Sequence, residues 1–290
     1  MTGGEQMYVA GRFVAPAEAA VSAADAGLLL GVGLFETLRT YAGRPFRLAR
    51  HLERLRSSGQ VFRIFVGESD ERIAEIVAHL VEANGVPDSR VRITATRGPL
   101  VEELEDDEAP RATLIVTAGP MTPYPAESYE RGATVVVSDI RANETDPTTF
   151  HKTTNFLRNL MAMRDAHRAR AAEALRFNTR SRLAEGAISN VFAVREGRLL
   201  TPPVEDGLMP GITRAAVLEL APEAGVAAEQ QSLMIHDLLD ADEVFLTNSI
   251  MEIMPVSRIE QHEVGQGKPG PVTRRIAQAY KDLVARETGA

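Results

Sequence analysis

Short alternating segments that suit β-strands recur along the chain, and amphipathic helical segments lie between them in no regular order. QMYVAGRFVAP predicts two strands joined by a hairpin turn at Ala10-Gly11. RVRITATRG and RATLIVTAGPM alternate and carry β-branched residues, which predicts two longer strands. LARHLERLRSSGQVFRI instead places Leu48, Leu52 and Leu55 at helical spacing. This irregular interleaving, with several hairpins, favours an α+β fold over a doubly wound parallel sheet.

The segment GPMTPYPAESYE has little periodicity and is the candidate linker between two halves of the chain. In the second half, helical patterns in NFLRNLMAMRDAHRARAAE and GITRAAVLELAPEAG alternate with strand patterns in EALRFN, AISNVFAVREGRLLTP and DEVFLTNS. We therefore predict an N-terminal α+β domain over residues 1–120, a linker over 121–128, and a C-terminal α+β domain over 129–290 that contains Lys152.

Composition excludes several classes of function. The net charge of −8 argues against broad nucleic-acid binding, which needs a basic surface. The chain has no cysteine, and its six histidines are scattered, so we expect no disulfide, no thiolate chemistry and no metal site. No apolar run approaches the roughly 20 residues of a membrane helix. The first residues, MTGGEQMYVAGRFV, lack a signal-peptide pattern, so we expect a cytoplasmic protein.

Lysine is rare in this chain. It occurs only at Lys152, Lys268 and Lys281, and the other residues in the combined count of Lys and Arg are all arginine. A guanidinium stays protonated, whereas a lysine amine can lose its proton and act as a base or nucleophile. Lysine amines also form Schiff bases with carbonyl compounds such as pyridoxal phosphate. Lys268 in GQGKPG and Lys281 in a helical tail suit surface positions. Lys152, in HKTTNFLRN, is either another surface lysine or a reactive amine.

A lysine that held pyridoxal phosphate would need partners for the phosphate and for the pyridine nitrogen. In GLMPGITRAAV, a helix starts directly after Pro210-Gly211, and the N–H groups of Ile212 and Thr213 could bind an anion. Arg54, on the predicted helix, could supply a guanidinium fork. The polar end of FLTNS offers Thr247, Asn248 and Ser249. The ordinary alternatives are a plain helix start, a solvated arginine and a polar turn.

Glu185, in RLAEGAISNVF, is the candidate partner of the pyridine nitrogen. It lies between a strand pattern and a turn of small residues, with apolar residues on both sides. A carboxylate there would keep the ring nitrogen protonated and strengthen the electron sink of the cofactor. The alternative is an ordinary carboxylate in a turn.

Taken in order, these segments resemble the class IV aminotransferases, pyridoxal phosphate enzymes of fold type IV. The resemblance extends from about Met7 to about Ile259 and is carried by GLFETLRTYAGRPFRLARHLERL, HKTTNFL, RLAEGAISNVF, PGITR and TNSIMEIMPV. That family includes branched-chain aminotransferases, D-amino acid aminotransferases, (R)-selective amine transaminases and aminodeoxychorismate lyase. The resemblance implies two α+β domains with pyridoxal 5'-phosphate between them. It also implies a homodimer whose partner subunit lends a loop to each active site.

The resemblance implies a role for each matching residue. Lys152 would bind the cofactor covalently and move the substrate proton, and Glu185 would bond to the pyridine nitrogen. The phosphate would be held by Arg54, by the backbone N–H groups of Ile212 and Thr213, and by the hydroxyl of Ser249.

Several positions depart from the family pattern. Where branched-chain enzymes carry a tyrosine after the lysine, this chain has Phe156, which cannot hydrogen-bond to the cofactor. Where D-amino acid enzymes carry an Arg-x-His pair, this chain has the acidic stretch PLVEELEDDE. The usual GDG and DRG motifs read GVG at residues 31–33 and DAG at residues 25–27. The segments that set substrate specificity therefore differ, whereas those that bind the cofactor match.

Four residues are candidates for the substrate pocket, because the family borders its pocket with the corresponding strands: Phe35, Arg39, Arg92 and Arg97. The arginines could bind a substrate carboxylate, or they could lie on the surface. The leading prediction is a transaminase that moves an amino group from an amino acid or amine to a keto acid. The alternative is aminodeoxychorismate lyase, which releases pyruvate and 4-aminobenzoate and would use the same lysine. A protein that binds the cofactor without turnover is the third possibility.

Overall fold

The computed structural model describes residues 5–99 and 111–290, which form two compact units. Neither unit is one continuous segment. The first contains residues 5–99 and 111–122, Lys152–Asn155 and Val284–Ala290, and the second contains Pro123–His151 and Phe156–Leu283. The acidic stretch LVEELEDDE lies outside the described residues. No helix in the described ranges combines the length and hydropathy of a membrane span.

The first unit is built on an antiparallel sheet of six strands in the order β2-β1-β6-β5-β3-β4. The strands are β1 (Met7–Val9), β2 (Arg12–Val14), β3 (Gly33–Tyr41), β4 (Arg44–Pro45), β5 (Ser89–Thr96) and β6 (Thr113–Pro120). The helices are α1 (Ala26–Leu30), α2 (Leu48–Phe62), α3 (Asp70–Ala83) and the 3-10 helix Pro16–Glu18. The predicted hairpin is confirmed, because Met7 lies opposite Val14 in the β1–β2 pair.

The core of the first unit lies on one face of this sheet. Leu34 and Leu38 alternate along β3 and pack with Leu52 and Leu55 of α2 in one buried cluster. The helical spacing read from the sequence is therefore confirmed in α2. Because successive strand residues point to opposite faces, Phe35 and Arg39 lie on the other face of β3. Arg92 of β5 lies opposite Thr37, so that face carries three of the four candidate substrate residues, namely Phe35, Arg39 and Arg92.

The second unit is built on a mixed sheet of nine strands in the order β12-β11-β10-β13-β14-β7-β8-β9, with β15 paired to β14. The strands are β7 (Ala133–Val137), β8 (Glu173–Phe177), β9 (Leu183–Gly186), β10 (Asn190–Arg195), β11 (Arg198–Thr201), β12 (Ala228–Gln230), β13 (Glu243–Asn248), β14 (Glu252–Ile259) and β15 (His262–Glu263). The helices are α4 (Ala126–Arg131), α5 (Leu157–Arg168), α6 (Ile212–Glu223), α7 (Ile235–Leu239), α8 (Pro271–Thr288) and the 3-10 helices Pro147–Phe150 and Val204–Asp206. The last residues of α8 belong to the first unit.

The segment proposed as a linker is partly helical. It has no regular structure through Pro125, and α4 begins at Ala126. An ion pair between Glu127 and Arg131, 2.8 Å apart at i and i+4, supports this short helix. Each unit combines helices with a sheet, antiparallel in the first unit and mixed in the second, in agreement with the predicted α+β class.

Candidate active site

Lys152 is held against β3 by main-chain hydrogen bonds. The Phe35 N–H donates to the Lys152 carbonyl at 2.9 Å, and the Thr154 N–H donates to the Gly33 carbonyl at 2.8 Å. Gly33 leaves no room for a side chain, because a Cβ there would lie 2.8 Å from Oγ1 of Thr154. The segment Lys152–Asn155 therefore packs with the first unit, although the residues flanking it belong to the second.

The ring of Phe35 has two cationic neighbours. Nζ of Lys152 lies 4.5 Å from the ring centroid, and Cζ of Arg92 lies 3.9 Å from it. Burial and the neighbouring charge of Arg90 lower the pKa of Arg92. Such a guanidinium would gain from an anionic partner. Of the predicted substrate residues, the first unit thus groups Phe35 and Arg92 with Lys152.

The other two candidate arginines have different surroundings. Cζ of Arg39 lies 4.4 Å from the centroid of the Tyr41 ring, on the same strand. Arg97 follows the last residue of β5, and its N–H donates to the Val32 carbonyl at 3.0 Å. Of the three candidate arginines, Arg92 is therefore the one that shares the Phe35 ring with Lys152.

Arg54 belongs to a buried cluster with Glu36 and His51. Nε of Arg54 donates to Oε1 of Glu36 at 2.8 Å, and Nη2 donates to Oε2 at 2.6 Å. Nδ1 of His51 lies 2.7 Å from Oε2 of the same carboxylate. The side chains of Glu36 and His51 are 1% exposed, and that of Arg54 is 13% exposed. The guanidinium of Arg54 is thus fixed in one orientation by a carboxylate fork.

The charges in this cluster follow from its contacts. Burial alone would raise the pKa of Glu36, but the charge and hydrogen bonds of Arg54, with those of His51, lower it to about 2. Burial lowers the pKa of His51, and the charges of Arg54 and Lys152 act in the same direction against the effect of Glu36. An ionised carboxylate only accepts hydrogen bonds, so we assign the proton of neutral His51 to Nδ1.

Glu185 lies on β9 beside a buried arginine. Nη1 of Arg176, on the neighbouring strand β8, lies 3.7 Å from Oε1 of Glu185. The Met209 N–H donates to Oε2 at 3.0 Å. Burial lowers the pKa of Arg176, and the charge of Glu185 opposes that shift. The carboxylate of Glu185 is therefore held from two directions.

The start of α6 provides a place for an anion. Its N-cap, Gly211, has no side chain to bond the first N–H groups, which include those of Ile212 and Thr213. A Cβ on Gly211 would lie 2.0 Å from Oδ1 of Asn190, so the helix start packs directly on β10. Asn190 lies opposite Thr247 of β13. Oγ1 of Thr247 is buried and has no hydrogen-bond partner among the described residues.

The turn after β13 presents Ser249. Oδ1 of Asn248 accepts hydrogen bonds from the N–H groups of Ile250 and Met251, both at 2.8 Å. Nδ2 of Asn248 donates to the Ile188 carbonyl at 3.0 Å. Asn248 thus shapes the turn, while the hydroxyls of Thr247 and Ser249 remain the polar groups suited to an anion at this end of β13.

The start of α6, with Ile212 and Thr213, therefore packs on β10, which pairs with β13, and Ser249 follows the last residue of β13. The partners of Arg54 and Glu185 were missed in the sequence. Glu36 could have been found as a carboxylate within the apolar strand pattern LFETLR. Arg176 stands between apolar residues in EALRF. Within the described ranges, no group of three or more His, Cys, Asp and Glu side chains could hold a metal ion.

Comparison with known proteins defines the class of enzyme. The model of the family "Amino-transferase class IV" matches residues 33–259. The branched-chain-amino-acid aminotransferase of Salmonella typhimurium is 31% identical over 291 residues, which cover 98% of this chain and 94% of the relative. The D-alanine aminotransferase of Staphylococcus haemolyticus is 29% identical, covering 96% and 98%. The crystal structure of the Escherichia coli branched-chain amino acid aminotransferase has a TM-score of 0.91 at 31% identity, covering 98% and 96%.

These matches describe an enzyme that transfers amino groups. The chain belongs to the class IV aminotransferase family. It has the fold of the type IV enzymes and is a transaminase of class IV, as the sequence predicts. The family implies pyridoxal phosphate as its cofactor. The donor set of the second unit fits a phosphate. The start of α6 has no side-chain cap, and the Thr247 hydroxyl has no hydrogen-bond partner in the described part of the chain.

Replacing Gly211 with alanine is expected to weaken pyridoxal phosphate binding by about tenfold or more, because overpacking of this kind costs about 1–3 kcal/mol. The new Cβ would press on Asn190 and displace the start of α6. The affinity is measured by titrating the apoenzyme with the cofactor and following visible absorbance. Gly119→Ala is the matched control, since a Cβ there meets open space. Equal affinities for the two variants would contradict a phosphate site at this helix.

Proposed function

We propose that the residues identified in the sequence hold pyridoxal phosphate in this transaminase. Lys152 is the covalent anchor of the cofactor, and Glu185 accepts a hydrogen bond from the N–H of the pyridine ring. The phosphate is bound by Arg54, Ile212, Thr213 and Ser249. The fixed orientation of Arg54 supports this proposal, because a phosphate oxygen needs a donor that does not reorganise. The uncapped start of α6 supports it from the second unit.

Bound pyridoxal phosphate supplies an electron sink that stabilises negative charge on the substrate carbon. Nζ of Lys152 would take the proton from that carbon and deliver it to the carbon of the cofactor that receives the amino group, a task that a guanidinium cannot perform. Glu185 keeps its orientation through Arg176 and the Met209 N–H, so its carboxylate is ready to accept from the ring nitrogen. Phe35 keeps the lysine chain beside its aromatic face.

We further propose that the substrates are amino acids and keto acids rather than amines without a carboxylate. The main support for this proposal is the position of two side chains at the Phe35 ring. Nζ of Lys152 lies 4.5 Å from the ring centroid, and Cζ of Arg92 lies 3.9 Å from it. A cation suited to a carboxylate therefore belongs to the same small cluster as the amine that moves the proton. The pKa of Arg92 is lowered by burial and by Arg90, and a bound carboxylate would offset both effects.

The test is the conversion of the bound cofactor to its pyridoxamine form, followed by absorbance with one donor at a time. L-leucine, L-glutamate, D-alanine and (R)-1-phenylethylamine separate the branched-chain, acidic, D-amino acid and amine classes. We expect conversion by at least one amino acid and none by the amine. Conversion by the amine alone would contradict the proposal.

Arg92→Met is expected to raise KM for the amino acid by about 10–100-fold, since a charged hydrogen bond to a carboxylate contributes about 1.5–3 kcal/mol. The lost interaction is made in the ground state as well, so kcat should change much less. Arg90→Met is the control, because Arg90 is exposed and lies on the same face of β5. A KM that stays at the wild-type value in Arg92→Met would remove this residue from the substrate site.

The lyase remains the alternative, because elimination would use the same lysine and the same cofactor contacts. It is tested by incubating the enzyme with aminodeoxychorismate and measuring 4-aminobenzoate. Release of 4-aminobenzoate without conversion by any amino donor would replace the transaminase reading of the substrate site. The absence of 4-aminobenzoate would rule out the lyase activity.

A cytoplasmic location stays a prediction.

We also propose a homodimer in which each active site lies at the subunit interface. An exposed apolar stripe on α5 supports it: Leu157, Leu160 and Met161 are 64%, 58% and 39% exposed. These residues stand at i, i+3 and i+4, so they share one face of the helix. A second copy of the chain would cover this stripe. The helix begins five residues after Lys152, so an interface there would lie close in sequence to the reactive amine.

Leu160→Asp is expected to shift the protein toward a monomer, because a two-fold interface repeats the new charge and like charges cost on the order of 3 kcal/mol. Sedimentation at several concentrations measures the change. Val61→Asp is the matched control, since Val61 is 55% exposed on α2. A wild-type monomer, or a dimer equally stable in both variants, would contradict the proposed interface.

A further inference from the structure

Glu173 is a fully buried carboxylate on β8 with four hydrogen-bond donors. Oε1 accepts from the N–H groups of Ala174 at 2.9 Å and Ala187 at 3.0 Å. Oε2 accepts from the Ile188 N–H at 3.2 Å and from the Ser189 hydroxyl at 2.8 Å. Three of the four donors belong to residues 186–189, which we call the 186–189 turn. This turn follows Glu185 directly in the sequence.

The opposite side of the 186–189 turn is also held. Its Ala187 carbonyl accepts from Nδ2 of Asn159 at 2.6 Å, and its Ile188 carbonyl accepts from Nδ2 of Asn248 at 3.0 Å. Asn159 lies in the first turn of α5, and Asn248 is the last residue of β13. One carboxylate thus fixes the N–H groups of a turn whose carbonyls hold two further elements.

The turn is built around this carboxylate. A Cβ on Gly186 would lie 2.3 Å from Oγ of Ser189 and 3.0 Å from the carboxyl group of Glu173. A larger residue at position 186 would therefore displace the Ser189 hydroxyl and press on the carboxyl group of Glu173. Burial raises the pKa of Glu173 to about 7, and its hydrogen bonds oppose that shift. A buried carboxylate is unfavourable unless hydrogen bonds compensate for the lost water, and the donors around Glu173 provide that compensation.

We infer that Glu173 is a positioning residue for the cofactor. Through the 186–189 turn it sets the place of Glu185, which precedes the turn, and of Asn248, which precedes Ser249. Glu173 thereby fixes the relative positions of the groups proposed to contact the pyridine nitrogen and the phosphate. The Glu173 side chain itself contacts neither part of the cofactor. This inference rests on the proposed roles of Glu185 and Ser249.

The test compares Glu173→Gln with Glu243→Gln in the holoenzyme. Glu243 is a matched control, because it is another buried carboxylate of the second unit and accepts from the N–H groups of Val272 and Thr273. We expect Glu173→Gln to weaken pyridoxal phosphate binding by about tenfold or more and to shift the visible band of the bound cofactor. Glu243→Gln should lower the melting temperature of the apoenzyme to a similar degree while affinity and band stay near wild type.

A second pair of variants keeps the test decisive if Glu173→Gln does not fold. Ser189→Ala removes one donor and leaves the carboxylate, so a smaller change in the same direction is expected. Combined with Ser249→Ala, it should lower affinity by a factor that differs from the product of the single effects, because both act on one site. Wild-type affinity and band in Ser189→Ala, or equal changes in the Glu173 and Glu243 variants, would overturn the inference. A wild-type enzyme without a cofactor band would overturn the proposed function as well.

Discussion

Lys152→Arg is expected to abolish the visible band of the bound cofactor and to lower transamination by at least about 10²–10⁴-fold, the range attributed to proton transfer by a positioned group. The guanidinium cannot form the covalent link, and it cannot give up its proton near neutral pH. The fold should survive, because arginine can keep the cation–π contact that Lys152 makes with Phe35 at 4.5 Å. Absorbance, initial rates and the melting temperature are measured on the same preparation.

The two other lysines provide the controls for this experiment. Lys268→Arg and Lys281→Arg keep the charge and are expected to retain wild-type rates and absorbance. A Lys152→Arg variant with more than a tenth of the wild-type rate would show that another group moves the substrate proton. Loss of activity in all three variants would point to a general effect of the substitutions on folding.

Glu36→Ala is expected to lower the free energy of unfolding by about 3–5 kcal/mol, the cost of removing one partner from a buried charge pair. Arg54 would lose the fork made by bonds of 2.8 and 2.6 Å, and His51 would lose its acceptor. Because Arg54 is the proposed phosphate ligand, cofactor affinity should fall as well. Urea unfolding of the apoenzyme and cofactor titration measure the two effects separately.

The Glu36 cluster also predicts a pH dependence of stability. The pKa of Glu36 is about 2 in the folded chain and 4.5 as its reference value, so the carboxylate stabilises the fold above pH 4.5. That stability is lost as the pH falls from about 4.5 through 2, and it amounts to about 3 kcal/mol. Glu36→Gln should flatten the unfolding free energy across this window. Glu53→Gln is the control, because the Glu53 side chain is 67% exposed.

An unchanged acid slope in Glu36→Gln would show that other carboxylates dominate the acid unfolding. Equal stability of Glu36→Ala and wild type at neutral pH would contradict the contribution of the buried cluster. A stable variant that binds the cofactor as tightly as wild type would remove Arg54 from the phosphate site.

Local sequence patterns predict much of the secondary structure, because strands and helices reflect spacing between near neighbours. The leucines of α2, the hairpin of β1 and β2, and the helix that starts after Gly211 all follow from such spacing. The start of α4 inside GPMTPYPAESYE was missed. The helix α4 is supported by one ion pair, between Glu127 and Arg131. Prolines occur throughout the preceding residues, and they obscure any helical periodicity in the sequence.

Lys152 could be proposed from sequence as the reactive lysine because the chemistry of lysine is specific and this residue type is rare in the chain. Its packing with β3 could not be read locally, since Phe35 and Lys152 are far apart in sequence. For the same reason, the ion pair of Glu36 with Arg54 and that of Arg176 with Glu185 could not be predicted from the sequence. Each depends on strand register or on a helix lying over a sheet, which the spacing of neighbours does not encode.

The proposed function depends above all on a covalent link between Lys152 and pyridoxal phosphate. The most direct measurement is reduction of the holoenzyme with sodium borohydride, followed by proteolysis and mass spectrometry of the peptides that contain its three lysines. We predict one pyridoxyl group per chain, located on Lys152 in HKTTNFLR. A label on Lys268 or Lys281 with Lys152 unmodified, or no label on a holoenzyme that transaminates, would contradict a covalent link at Lys152.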